Sequence, residues 1–313
     1  MKNKMKTIIT STIFVIATMF AYGQSIYTKS FGNSKDMPII FLHGGPGYNC
    51  VNFEATTAQQ LADKGFFVII YDRRGEGRSK DPNTKFTFKE TFDDLNAIYK
   101  KYNLKKANLI GHSFGGVVAT LFAEANPKKV QSIILVGAPV SLQETIKTII
   151  STSKTIYQTK NDSINLNYIS ILENMDKNSI EYSSYSLMHA MQNGFYSTKN
   201  PTEDAKIIYS KFKTDTLLIK YASEMKYQAL QGFLKNEKYT TIDLTKNLQT
   251  LLKQRIKIYG LYGKEDGLYS SQQITDLQNL IGKSNLKYFD NCSHNVFIDQ
   301  QAQFIEQIKT WTK

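Results

Sequence analysis

A serine hydroxyl becomes a strong nucleophile only when a base removes its proton, and the base needs a third group to hold it in the right tautomer. The run Gly111-His112-Ser113-Phe114-Gly115, followed by Gly116, places a serine between glycines. It stands between an apolar run of strand length and a segment with helical spacing. That is the context of a nucleophile elbow, in which a sharp, strained turn lifts the Ser113 side chain clear of the sheet. The helix starting at Phe114 would aim free N–H groups and a positive dipole end at the reacting atom.

Four histidines are available as base. His43 lies in a Gly-rich loop, His112 is expected to point away from the Ser113 side chain, and His189 sits in a polar helical stretch. His294, in Asp290-Asn-Cys-Ser-His294-Asn-Val-Phe, follows the last strand-like run and can reach back over a sheet edge, so it is read as the base. Asp266, in Gly263-Lys-Glu-Asp266-Gly, follows the penultimate strand and is read as its orienter. Glu265 competes by adjacency alone, and a neighbouring side chain would point elsewhere. His43-Gly44-Gly45-Pro46-Gly47 directly follows the first buried strand and can present unobstructed N–H groups. The oxyanion hole is assigned to the N–H groups of Gly45 and Phe114, with His43, Gly44 and Gly47 as supporting loop. This loop lacks the Lys-Ser/Thr of a P-loop and the spacing of a dinucleotide fingerprint.

These residues must be positioned by alternating strands and helices. Pro38–Leu42, Phe66–Tyr71, Ala107–Ile110, Val130–Val136, Ile256–Tyr262 and Leu286–Phe289 are apolar runs of strand length, as expected for strands buried on both faces. Between them, Asn52–Lys64 reads as a helix stopped by Gly65. Phe92, Leu95, Ile98, Tyr99 and Tyr102 recur at helical spacing, and Phe114–Ala125 is a helix ended by Asn126-Pro127. Helices are also expected around Gln272–Ile281 and Gln300–Trp311. Such alternation implies a parallel sheet with helices on both faces. The rhythm breaks over residues 141–250, which are rich in Ser, Thr, Asn, Lys and Tyr. The expected organisation is therefore a core of residues 24–140 and 251–313 with a helical cap, 141–250, spliced into it.

With these motifs in place, the sequence resembles the α/β-hydrolase superfamily over nearly the whole mature chain. His43-Gly-Gly-Pro-Gly47 together with Asp72-Arg-Arg-Gly-Glu-Gly-Arg-Ser79 is similar to the prolyl aminopeptidase branch (proline iminopeptidases, peptidase family S33). The resemblance implies the α/β-hydrolase fold: a mostly parallel central sheet flanked by helices, with an inserted helical cap. It also implies an oxyanion N–H at Gly45, a structural turn at Asp72, Arg74, Gly75 and Gly77, and cap carboxylates that hold a substrate's free amino terminus. Glu173, Glu181 and Glu224 are the cap candidates for that last role. The elbow departs from the branch, where Gly-Gly-Ser-Trp-Gly-Ser is usual; Gly-His-Ser-Phe-Gly-Gly is the form common in esterases and lactonases. The first reading is thus an aminopeptidase that releases N-terminal residues from small peptides through an acyl-enzyme. The alternative is a carboxylesterase, lactonase or thioesterase using the same triad. A nucleophilic Asp, as dehalogenases and epoxide hydrolases require, is absent from the elbow. A binding protein built on a retired hydrolase would have no use for the triad.

Composition bounds the rest. Hydrophobic residues at 41% and charged residues at 21% exclude disorder, collagen and coiled coil. Met1–Lys6 carries three lysines, Thr7–Phe20 is apolar, and Ala21-Tyr22-Gly23 supplies a small-residue end, the parts of a secretory signal peptide over residues 1–23. The exported product would be periplasmic or extracellular, with no stable membrane span once the signal is removed. Losing Lys2, Lys4 and Lys6 with it lowers the net charge from +12 to +9. The remaining lysines are dispersed and only four arginines occur, Arg73, Arg74, Arg78 and Arg255, which does not suit a nucleic-acid reader. The expected partner is a small-molecule or short-peptide substrate. No metal or organic cofactor is needed by this chemistry. An oxidising compartment would permit, without requiring, a bridge between Cys50 and Cys292.

Overall fold

The computed structural model describes residues 26–313, so the signal-like segment lies outside the described residues. Seven strands form one sheet: β1 (Thr28–Phe31), β2 (Met37–Leu42), β3 (Phe66–Tyr71), β4 (Ala107–His112), β5 (Val130–Val136), β6 (Lys257–Gly263) and β7 (Leu286–Phe289). Their spatial order is β1-β3-β2-β4-β5-β6-β7, parallel throughout except for β1, which runs antiparallel to β3. The six apolar runs are all strands, within two residues at either end. Edge strand β1 has no such run. It is half exposed and only four residues long, so its sequence carries little pattern.

The unbroken apolar runs are explained by what covers each face. Ile40, Leu42, Ile69, Tyr71, Leu109, Ile133 and Leu135 point into one buried cluster with Phe114, Val118 and Phe122. Their neighbours Ile39, Phe41, Val68, Ile70, Ile110, Ile134 and Val136 point into a second, with Phe53, Phe297, Phe304 and Ile308. Period-two alternation therefore survives in orientation even where hydrophobicity is continuous. The segment Asn52–Lys64 is not one regular helix. It begins α-helical at Val51–Phe53, widens into a π turn at Glu54–Ala58 and returns to α at Gln59–Asp63.

Between β5 and β6 the chain is helical, from Leu142–Thr159 through Ser163–Glu173, Ile180–Gln192, Glu203–Ser210, Thr216–Tyr221 and Tyr227–Glu237 to Thr245–Lys253. The first three of these helices bury a small cluster of their own, built on Ile146, Ile150, Tyr157, Ile169, Leu172 and Tyr182. Phe195, Phe233, Leu234 and Tyr239 instead join the cluster under Phe114, which ties this insertion to the core. No helix among the described residues is long and apolar enough to cross a membrane.

Candidate active site

Parallel strands bring their C-terminal ends to one edge of the sheet, and each candidate residue lies just beyond such an end. The Gly-rich loop follows β2, Ser113 follows β4, Asp266 follows β6 and His294 follows β7. Ser113 has φ +52° and ψ −125°, an unfavourable conformation for a residue with a Cβ, and the helix Phe114–Ala125 starts immediately after it. Its N–H donates to Val136 O at 2.9 Å. The tightness of this turn is visible at Gly115, where a Cβ would lie 2.0 Å from Leu42 O.

His294 Nδ1 donates to Asp266 Oδ2 at 2.8 Å, with both side chains buried. That bond leaves Nε2 as the nitrogen able to take a proton. Asp266 Oδ1 accepts from Leu268 N–H at 3.1 Å, which fixes the carboxylate plane. Glu265 points elsewhere: it accepts from the Thr198 hydroxyl at 2.7 Å and from Lys199 N–H, anchoring the helical insertion. Gly267 N–H donates to Phe195 O at 3.0 Å, a second tie between the Asp266 loop and the insertion.

The loop after β2 is held by a buried ion pair that no sequence motif marks as such. Arg73 donates to the carbonyl oxygens of His43 and Gly44, and also binds Glu76 Oε1 at 3.0 Å and Oε2 at 2.9 Å. Glu76 Oε2 in turn accepts from Gly47 N–H at 2.8 Å. His43 accepts from Arg73 N–H through Nε2 at 3.0 Å and donates from Nδ1 to Gly44 O. Burial and the Arg73 charge hold the His43 pKa well below its usual value, so it stays neutral. Gly45 and Phe114 line the same cavity as Ser113. The N–H of Phe114 is the first in its helix and has no intrahelical acceptor. Arg74 and Arg78 serve the turn itself: Arg74 pairs with Asp81 and Asp94, while Arg78 pairs with Asp72 and Glu54.

His112 does not simply point away. It lines the same cavity as Ser113, and its Nε2 donates to His294 O at 3.1 Å. Its ring lies 4.9 Å from that of His294. Burial and the neighbouring His294 push its pKa down to about 3, so this ring too is neutral. His189 is buried in the insertion, where Nδ1 pairs with Tyr157 Oη at 2.8 Å, and it does not line the cavity.

Ser113, His294, His43, Gly44, Gly45 and Phe114 all line one cavity of about 790 Å³. Its remaining wall comes largely from the insertion and is aromatic and aliphatic, including Leu142, Ile146, Leu187, Met188, Tyr196 and Tyr239. Among the described residues, no Asp, Glu, Lys or Arg lines it. The structure therefore does not bring Glu173, Glu181 or Glu224 to the site. Glu173 pairs with Lys154, Glu224 pairs with Lys226, and Glu181 is exposed in the first turn of its helix. Glu173 and Glu181 are placed as solvated helix-surface acids, and Glu224 as a partly exposed acid in the loop before Tyr227–Glu237, because nothing in the cavity repays the dehydration of a carboxylate. Cys50 and Cys292 are free and buried, and burial raises both thiol pKa values. Among the described residues no grouping of His, Cys, Asp and Glu could hold a metal ion.

Comparison with known proteins agrees with this fold. Residues 37–301 match the family model described as alpha/beta hydrolase fold. A proline iminopeptidase from Lactobacillus helveticus is 25% identical over 304 residues, covering 92% of this chain and 94% of the relative. A non-heme chloroperoxidase from Streptomyces lividans is 35% identical over 119 residues; the match spans 37% of this chain and less than half, 42%, of that relative. Among solved structures, an esterase from Exiguobacterium antarcticum superposes with a TM-score of 0.60 at 20% identity, over 91% of this chain and 94% of that one. At that identity the likeness speaks for the fold.

Proposed function

We propose, from the premise that the chain belongs to the α/β-hydrolase fold family, that it is a serine hydrolase cleaving neutral carboxylic esters, lactones or thioesters. In this reading Ser113 Oγ attacks the acyl carbonyl while His294 Nε2 takes its proton. Asp266 holds the imidazole and offsets the positive charge it acquires. The N–H groups of Gly45 and Phe114 receive the oxyanion, and His294 returns the proton to the departing alcohol or thiol. Water then repeats the sequence on the acyl-enzyme. The reading is carried by the 2.8 Å His294–Asp266 bond opening onto the same cavity as a strained Ser113.

Preference for a neutral acyl compound is supported by the uncharged wall of that cavity. A free α-ammonium group entering it would lose hydration without meeting a carboxylate. The aminopeptidase reading stands second. It is favoured by His43-Gly-Gly-Pro-Gly47 and by the iminopeptidase relative that aligns over almost the whole chain. We further propose export, on the pattern of residues 1–23.

The test is initial hydrolysis rates of the protein and its Ser113→Ala variant on aryl esters, a lactone, and L-prolyl and L-alanyl arylamides. Cleavage of esters or the lactone, abolished by Ser113→Ala, is the expected result. Serine-dependent cleavage of the arylamides, faster with a free than an acetylated amino group, would replace it with the aminopeptidase reading.

A further inference from the structure

Among the described residues, four buried side-chain oxygens have no hydrogen-bond partner: Asn52 Oδ1, Tyr71 Oη, Thr145 Oγ1 and Ser184 Oγ. Three of the four, those of Asn52, Thr145 and Ser184, belong to residues lining the cavity that holds Ser113. Buried polar atoms are nearly always paired, so their concentration in one cavity calls for an explanation on the ligand side. They come from separate elements: Asn52 follows the Gly-rich loop, Thr145 lies on the helix Leu142–Thr159, and Ser184 on the helix Ile180–Gln192.

Their availability is unusual for their positions. Helical Ser and Thr commonly turn the hydroxyl back to the carbonyl four residues earlier. Thr56, Thr91 and Thr120 do so here, at 2.6, 3.0 and 2.9 Å. On the very helix that carries Ser184, Ser183 and Ser186 do so as well, to Ser179 O and Tyr182 O. Thr145 and Ser184 do not, although Thr145 is only 4% exposed.

We infer that Asn52, Thr145 and Ser184 form a polar subsite for a neutral group that both donates and accepts, and that a secondary amide is the class that fits. Two hydroxyls can donate to an amide carbonyl, and Asn52 Oδ1 can accept from its N–H. A charged group finds no counter-charge in this wall, and a purely aliphatic chain would displace water while leaving all three oxygens dry. The substrate is then an ester or lactone that carries an amide in its acyl or alcohol part. Any apolar remainder passes over the mouth, where Tyr185, Met188, Met191, Met225 and Tyr227 are 39–61% exposed. This inference rests on the serine-hydrolase reading for its chemistry, though not for its binding.

The experiment compares esters of equal length in which a secondary amide is moved along the chain one bond at a time, each against its all-methylene counterpart. For the best member, kcat/KM should exceed that of the counterpart about tenfold, the worth of one or two net hydrogen bonds. That ratio should fall toward one in Thr145→Val, which keeps the side-chain shape, and in Ser184→Ala. A ratio near one throughout the series, or one that neither substitution moves, would overturn the subsite. If no ester is cleaved, the serine-hydrolase reading fails by itself. The subsite is then judged from Kd on the Ser113→Ala protein: tighter binding of the amide compound, lost on adding Thr145→Val, retains it, and equal Kd values overturn it.

Discussion

Gly137 lies directly against His294: a Cβ at Gly137 would sit 3.0 Å from His294 O and 3.2 Å from His294 Nδ1. It would also come within 3.4 Å of Asp266 Oδ2. The glycine has φ +51° and cannot retreat, because its N–H donates to Leu261 O and its carbonyl accepts from Tyr269 Oη. A side chain there would crowd the His294 carbonyl and imidazole, which must give by a few tenths of an ångström, and would sit at contact distance from the carboxylate. Gly137→Ala is therefore expected to lower kcat on the best ester about 10²-fold, the scale of a small misplacement of a reacting group. KM should change less, since the cavity wall is untouched. A kcat equal to the parent's would mean that the His294–Asp266 pair tolerates displacement and does not set the rate.

The Arg73–Glu76 pair separates stability from catalysis. Both side chains are buried, and together they hold the carbonyls of His43 and Gly44 and the N–H of Gly47. Removing one partner strands the other charge, so Glu76→Gln should cost about 3–5 kcal/mol in urea unfolding. If the loop positions an oxyanion donor, kcat should fall as well, by about 10²–10³. The double change Arg73→Met with Glu76→Leu removes both charges and should regain much of the stability while leaving the loop carbonyls unanchored. Recovery of stability without recovery of kcat is the expected pattern. Recovery of both would reduce the pair to a structural one.

Legibility from sequence followed the physics of each element. Strands covered on both faces must be apolar along their whole length, which is why all six such runs were identifiable, while half-exposed β1 was not. Ser113, Asp266 and His294 were marked by what stands beside them in the chain: glycines at a strand-to-helix turn, and loops after strands. The Arg73–Glu76 support was hidden inside a turn that looked purely local, because its partners lie some 30 residues away in the chain. The cavity wall was less legible still. Which faces of the helices between β5 and β6 meet Ser113 depends on how they pack, so Thr145 and Ser184 looked like any other residues of a polar stretch. The three cap glutamates failed as candidates for the same reason: sequence shows a carboxylate, and packing decides whether it faces the site.

His112 gives acid instability a particular source. Its pKa is about 3 in the fold, held down by burial and then by His294, against 6.5 for the free side chain. Between those values the unfolded chain binds a proton that the folded one excludes, so stability rises with pH across the window and is lost as pH falls through it. The slope from this group reaches about 1.4 kcal/mol per pH unit. His43, lowered by burial and Arg73, acts in the same direction. Replacing His112 by Asn retains a donor toward His294 O but removes the titration. The urea midpoint of His112→Asn should therefore decline less steeply than the parent's between pH 6.5 and about 4, where carboxylates also begin to contribute. Parallel declines would show that His112 takes up its proton without cost, and that its bond to the His294 carbonyl survives protonation of the ring.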